Sequence, residues 1–84
     1  MRYSVVFKPS AERGFRDLPP QIQPRLAHEL ASLSTVPRPP GCAKLKARPD
    51  FRIRVADYRV ICAVDDEARI VRILAVGNRR DIYR

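Results

Sequence analysis

The chain has 84 residues, of which 45% are hydrophobic, and a formal net charge of +8 at pH 7. This length fits one domain over residues 1–84 with a thin core, and it leaves no room for a second domain. The excess of arginine favours a polyanionic partner, nucleic acid before membrane, because no basic amphipathic helix stands out. No signal peptide, transmembrane run or targeting motif is recognisable, so we expect a cytoplasmic protein with no membrane partner.

The two cysteines, Cys42 and Cys62, do not have the CxxC spacing of redox motifs or the spacing of metal ligands. We therefore expect two free thiols, no metal site and no cofactor.

The N-terminal half predicts a strand followed by two helices. Apolar side chains alternate over residues 2–7, as in a half-buried strand. Pro9 and Ser10 then begin an amphipathic helix that ends at Leu18, before two prolines. A second helix begins near Gln21, and its apolar stripe consists of Ile22, Leu26, Leu30 and Leu33. We expect the two helices to form a hairpin that covers one face of a sheet.

A long loop rich in proline is predicted for residues 34–49. Connections of this length without regular structure are uncommon in compact domains and are often functional. Its basic residues are Arg38, Lys44, Lys46 and Arg48. These residues either extend a positively charged binding surface or lie on a stiff surface loop where solvent surrounds them. The sequence leaves both interpretations open.

The last third of the chain predicts three strands. Apolar and basic residues alternate over 51–55, residues 58–64 are rich in β-branched types, and 68–76 is again apolar. Because the connections are short, these strands should form an antiparallel meander, which the N-terminal strand joins. The expected fold is therefore α+β: an N-terminal strand, a helical hairpin, a long basic loop and a three-stranded antiparallel meander.

The meander carries a group of arginines. Arg52 and Arg54 should face outward together, roughly 7 Å apart, with Arg59 close across the turn. Arg79, Arg80 and Tyr83 follow the third strand. Guanidinium groups match phosphate oxygens bidentately, which suggests a phosphate-binding surface. A solvated face that carries surplus charge is an equally open interpretation.

Four segments, RYSVVFKPSAERGFRDLP, PRPPGCAKLK, RIRVADYRVICAVDD and VGNRRDIYR, resemble the RelE/ParE superfamily of bacterial and archaeal type II toxins. The resemblance covers essentially the whole chain, and its DYRVI and NRRDIYR parts point to the RelE branch. It implies a βααβββ fold similar to microbial ribonucleases. It also implies a ribosome-dependent mRNA endonuclease that works by attack of the 2′-hydroxyl, without a metal.

The resemblance further implies partners and site residues. The partners are a cognate acidic antitoxin, the ribosome and the mRNA in its A site, and the toxin–antitoxin complex can bind operator DNA through the antitoxin. The implied catalytic residues are Arg54, Arg59, Arg79 and Tyr83. The implied RNA-binding residues are Lys44, Lys46, Arg48, Arg52, Arg80 and Arg84.

The chain departs from the family pattern at three positions. Arg54 replaces a lysine that has been proposed as general base, and an arginine does not readily give up its proton. Asn78 stands where relatives have histidine or lysine, and the only histidine, His28, falls on the polar side of the second helix, where we expect it to be solvated. Ala56 replaces a turn glycine, which is costly if the turn requires a positive φ. The first departure suggests that Tyr83 or the ribosome supplies the general base, or that catalysis is weak.

Two rival functions remain. One is a DNA gyrase inhibitor of the ParE type, and the other is a module that binds RNA or the ribosome without cutting. The joint presence of Arg54, Arg59, Arg79 and Tyr83 favours cleavage over both.

Overall fold

The structure, a computed structural model, describes residues 2–46 and 48–78. Its elements are β1 (Ser4–Phe7), α1 (Pro9–Arg16), α2 (Gln23–Ala31), a 3-10 turn (Ser32–Ser34), β2 (Ala43–Lys44), β3 (Phe51–Val55), β4 (Tyr58–Asp65) and β5 (Ile70–Asn78). The predicted α+β fold, with a helical hairpin and a C-terminal meander, is confirmed. Within the described residues, every helix is too short and too polar to cross a membrane.

The five strands form one sheet in the order β1-β5-β4-β3-β2. The meander of β3, β4 and β5 is antiparallel, as predicted. The sheet is not wholly antiparallel, however, because β1 pairs with β5 in parallel. The two helices between β1 and the rest of the chain supply the long connection that a parallel neighbour requires.

The long loop is also more ordered than predicted. Ala43 and Lys44 form a short edge strand, β2, which pairs with Arg52 and Phe51 of β3. Alternation cannot be recognised over two residues, so no local pattern predicts this strand.

Several predicted boundaries shift by about two residues. The second helix begins at Gln23 rather than near Gln21, which places Pro24 in its first turn. The first strand begins at Ser4, and the last begins at Ile70 because Arg69 has a φ of 57°.

The helical hairpin packs on one face of the sheet, and the core lies between them. Fully buried side chains from both layers meet there, among them Leu26, Leu33, Val60, Val71 and Ile73. Gly14 allows the close approach of α1, since a Cβ atom at this position would lie 2.6 Å from the carbonyl oxygen of Val76. The glycine that weakens the helix locally is thus required by its packing on β5.

A β-bulge in β5 keeps the apolar residues on the core face. Ile61 pairs with Ala75 and Cys62 pairs with Ile73, so Leu74 has no partner on β4. In a regular strand Ile73 and Val76 would face opposite sides, because side chains alternate. The extra residue lets both side chains face the helices, where both are buried.

A polar cluster fixes the start of the loop. The Arg38 guanidinium donates two hydrogen bonds to Asp66, with distances of 3.1 and 3.0 Å to the two carboxylate oxygens. The Tyr3 hydroxyl donates to the same carboxylate at 2.7 Å. Arg38 also lies over the Phe51 ring, 5.2 Å from its centroid. Hydrogen bonds from Arg38 and Tyr3 lower the pKa of Asp66, and the bond to Asp66 raises the pKa of Tyr3.

The β3–β4 turn contains a strained alanine. Ala56 has a φ of 53°, in the left-handed region where an L-residue is disfavoured by roughly 1–2 kcal/mol. The predicted cost of replacing the turn glycine is therefore present in the structure.

We expect Ala56→Gly to raise the free energy of unfolding by about 1 kcal/mol, because glycine adopts this conformation without a steric penalty. Ala68→Gly is the matched control, since Ala68 is also an exposed turn residue but does not have a positive φ. The control should instead be destabilised by about 0.5 kcal/mol. Urea unfolding of both variants measures the difference, and equal destabilisation of the two would contradict the assignment of strain to Ala56.

Candidate functional site

The sheet face opposite the helices carries a row of arginines. Arg52 and Arg54 alternate with the core residues of β3, so they lie on the side away from the helical hairpin. Arg54 pairs directly with Arg59 of β4, which places Arg59 on the same side. We call Arg52, Arg54 and Arg59 the arginine face. The predicted grouping of these three residues is thus present.

The three arginines differ in exposure. Arg54 is exposed and Arg52 is half-buried, whereas Arg59 is only 9% exposed. The burial of Arg59 is a feature that the sequence did not predict. Its place on β4, the middle strand of five, explains the burial. Ile61, two residues further along β4, is also buried on this face and provides an apolar floor on which an arginine stem can pack.

The arrangement concentrates positive charge. Arg54 and Arg59 are cross-strand partners, with Cβ atoms roughly 5 Å apart, and like charges at such positions repel each other. A guanidinium keeps its charge even when it is buried. Arg52 and Arg59 each take part in a further interaction within the chain. The geometry is well suited to holding an anion between adjacent strands, and a phosphate diester is such an anion.

A cleft of about 420 Å³ adjoins the arginine face. Its walls are formed by β3 and by the loop, through Arg52, Ile53, Arg54, Pro40 and Gly41. Gly41 has a φ of 89°, which turns the loop at this point. The loop that the sequence identified as a candidate functional element therefore contributes a wall to the cleft.

The basic residues of the loop do not simply extend the arginine face. Lys44 pairs with Phe51, which faces the helices, so alternation places Lys44 on the other side of the sheet edge. Lys46 is exposed. Arg48 donates a 2.7 Å hydrogen bond to Asp50 and forms an ion pair with it, which offsets part of its charge. Their contacts with RNA stay predictions.

The remaining predicted site residues, Arg79, Arg80, Tyr83 and Arg84, lie outside the described residues. The described part of β5 ends at Asn78, which pairs with Tyr58. His28 is exposed on α2, and the helices pack on the opposite side of the sheet from the arginine face. The expectation that it is solvated is confirmed.

A second concave surface, which no sequence pattern predicted, lies between the helices and β1. This groove has a volume of about 630 Å³ and is predominantly apolar. Its lining includes Val5, Phe7, Phe15, Ala27, Leu30 and Ala31. Phe7 and Phe15 make an edge-to-face contact with ring centroids 5.8 Å apart. Alternation in β1 and the helical spacing in α1 indicate which apolar residues face the core. They do not indicate that the helices and β1 leave a groove between them.

Both cysteines are free thiols, as expected. Cys42 is half-buried in the loop, whereas Cys62 is fully buried in β4, where burial raises the pKa of its thiol to about 11. In the part of the chain that the structure describes, no group of three His, Cys, Asp or Glu side chains could hold a metal ion.

Comparison with known proteins shows consistent similarities. The family model for the ParE toxin of the type II toxin–antitoxin system parDE matches residues 5–83. A putative RelE-like toxin protein of Escherichia coli is 33% identical, and the alignment covers 99% of this chain and 92% of that protein. Toxin RelG of Mycobacterium tuberculosis is 35% identical over 100% of this chain and 99% of its own length.

A solved structure supports the same relationship. The fold is similar to that of a chain in the crystal structure of the toxin–antitoxin complex RelBE2 from Mycobacterium tuberculosis, with a TM-score of 0.82 and 30% identity. The match covers 94% of this chain and 100% of the matched chain. On the combined evidence of sequence and fold, this chain belongs to the RelE/ParE superfamily of toxins from type II toxin–antitoxin systems.

Proposed function

We propose that this chain is a toxin that cleaves mRNA in the ribosomal A site and thereby stops translation in the cytoplasm. The observation that carries the proposal is the pairing of buried Arg59 with exposed Arg54 on the open face of the sheet, beside a cleft. The similarity to RelE-like toxins supports an endoribonuclease at the level of the family.

The chemistry is an internal transesterification. The 2′-oxygen of one nucleotide attacks the adjacent phosphorus, and the bond from phosphorus to the 5′-oxygen of the next nucleotide breaks. The products are a 2′,3′-cyclic phosphate and a 5′-hydroxyl. A base must accept the proton of the 2′-hydroxyl, a cation must stabilise the charge on the phosphorane, and an acid must protonate the leaving oxygen.

Arg59 is suited to the electrostatic part of this reaction. Its burial holds the guanidinium in a fixed position, so little reorganisation is needed when charge develops on the phosphorane. The effective dielectric constant is lower in such a position than in water, which strengthens the attraction. To Arg54 and Arg52, which are more exposed, we assign the orientation of the substrate phosphates.

Proton transfer needs other groups. Arginine retains its proton at neutral pH, so none of the three residues of the arginine face serves as general base. On the family resemblance alone, we assign Arg79 to the leaving-group side, where its charge would stabilise the departing oxygen, and a proton-transfer or base-stacking role to Tyr83. A ribosomal group is the alternative source of the base.

Substitutions of Arg59 should separate chemistry from binding. Loss of one preorganised donor typically costs about 3–4 kcal/mol of barrier, so Arg59→Ala should reduce the cleavage rate on programmed ribosomes a hundredfold or more. Ribosome affinity should fall far less, because the interaction strengthens in the transition state. Arg59→Lys keeps the charge and tests the bidentate geometry if the alanine variant is unstable.

Arg72→Ala is the matched control. Arg72 is an exposed arginine that pairs with Ala63, which places it on the same sheet face but away from the cleft. Its removal should change cleavage less than threefold, as expected for one exposed charge. Equal losses of affinity and rate in the Arg59 variants would mean that the arginine face only docks the ribosome.

We further propose that a cognate antitoxin binds the apolar groove, since a relative of similar fold was solved as a toxin–antitoxin complex. The groove offers apolar side chains next to an open strand edge. Ser4 donates its backbone hydrogen bond to Arg69, directly before β5, and Lys8 donates to Ile73 of β5. The backbone groups of Val5 and Phe7 therefore point away from the sheet. A net charge of +8 favours an acidic partner segment that becomes ordered as it binds. Such a complex can also hold operator DNA through the antitoxin.

A carboxylate placed in the groove should weaken this complex. Ala27 lines the groove but is exposed, so Ala27→Glu should fold normally and reduce antitoxin affinity tenfold or more by desolvating a charge against apolar surface. His28→Glu adds the same charge at the next position of α2, where the side chain does not line the groove. Calorimetric titration with the antitoxin measures both, and indistinguishable affinities would place the antitoxin elsewhere.

A further inference from the structure

The Arg38–Asp66 pair joins two distant parts of the chain. Arg38 lies near the start of the loop, and Asp66 lies in the β4–β5 turn, 28 positions later. Both terminal nitrogens of the Arg38 guanidinium donate hydrogen bonds to the Asp66 carboxylate. The hydroxyl of Tyr3, in the N-terminal segment, donates to the same carboxylate. We call Arg38, Asp66 and Tyr3 the loop clamp. Three separate segments therefore meet at one carboxylate.

An isolated surface ion pair contributes little, and the side chains of Arg38 and Asp66 are 39% and 59% exposed. Three features distinguish the clamp from such a pair. The contact is bidentate, the guanidinium lies over the Phe51 ring, and prolines at 37, 39 and 40 stiffen the adjacent backbone. A stiff loop loses less conformational entropy when it is fixed, so a modest contact is enough to hold it.

Two contacts fix the loop on either side of the cleft wall. The clamp holds Arg38, and the β2–β3 pairing holds Ala43 and Lys44. Between these anchor points, Pro40 and Gly41 line the cleft opposite Arg52 and Arg54. The amide of Cys42 donates a 3.1 Å hydrogen bond to the carbonyl oxygen of Pro39, which closes a turn across the same stretch.

We propose that the loop clamp is a positioning element for RNA: Asp66, through Arg38, holds the Pro40–Gly41 wall against the arginine face, so that the cleft is already formed when RNA binds. This inference rests on the proposed ribonuclease function. It assigns a role to an acidic residue that does not touch the substrate.

The charge of Asp66 makes the test decisive. Removing an acidic residue from a protein that binds RNA should strengthen binding if only long-range electrostatics matter. If Asp66 positions the cleft wall, Asp66→Ala should have the opposite effect. We expect the ribosome concentration at half-maximal cleavage to rise roughly fivefold, because binding must then order the loop, while the maximal rate stays within about twofold. Asp66→Glu, which keeps a carboxylate for Arg38, should recover part of the loss.

Glu67→Ala is the matched control. It removes the same charge from the next residue of the turn, and Glu67 is exposed and outside the clamp. It should leave binding unchanged or slightly tighter. If Asp66→Ala behaves like Glu67→Ala, the positioning role is refuted.

Cys42 provides a readout that does not depend on activity. Its half-buried thiol lies in the loop, and Cys62 is shielded by full burial. Alkylation of Cys42, followed by peptide mass spectrometry, should be several times faster in Asp66→Ala than in Glu67→Ala. An unchanged rate would overturn the clamp itself. If the wild-type chain does not cleave mRNA, both the proposed function and the proposed role of the clamp toward RNA are wrong. The alkylation rates then still decide whether the clamp holds the loop.

Discussion

The antiparallel register of β3 and β4 is the constraint on which the site depends. The tight turn at Ala56 and Asp57 pairs Val55 with Tyr58, and every further pair along the two strands follows from it. Because side chains alternate, a slip of one residue would turn the arginines into the core and Val60 toward solvent. The register is therefore held by burial on one face, and the arginine face results from it on the other. The strained φ of Ala56 is tolerated at the turn that fixes this register.

The helical hairpin gives the two sheet faces different roles. It covers one face so closely that Gly14 is needed, and it leaves the opposite face to Arg52, Arg54 and Arg59. Arg16, Arg38 and Arg48 are held in ion pairs with carboxylates. We interpret the Arg16 and Arg38 pairs as structural, in contrast to the residues of the arginine face, to which we assign phosphate binding.

The sequence predicted the parts of the fold that depend on short-range patterns. Alternation in Phe51–Val55 gave the orientation of Arg52 and Arg54, and helical spacing gave the core stripe through Leu26 and Leu30. The burial of Arg59 could not be predicted from the sequence, because it depends on the position of β4 in the sheet, with two strands on either side. The parallel direction of β1 and the Arg38–Asp66 contact depend on long-range packing, for which no local pattern exists. The proposed roles of Arg79 and Tyr83 rest on the family resemblance.

The proposed cleavage of mRNA on the ribosome can be mapped by primer extension on a defined mRNA, with and without translating ribosomes. We expect new 5′ ends only within codons that ribosomes occupy, with 5′-hydroxyl groups on the downstream fragments and 2′,3′-cyclic phosphates on the upstream ones. Intact mRNA in cells whose growth has stopped would contradict it. An early loss of DNA synthesis would then indicate a gyrase inhibitor, and arrested translation without cuts would indicate a protein that only binds.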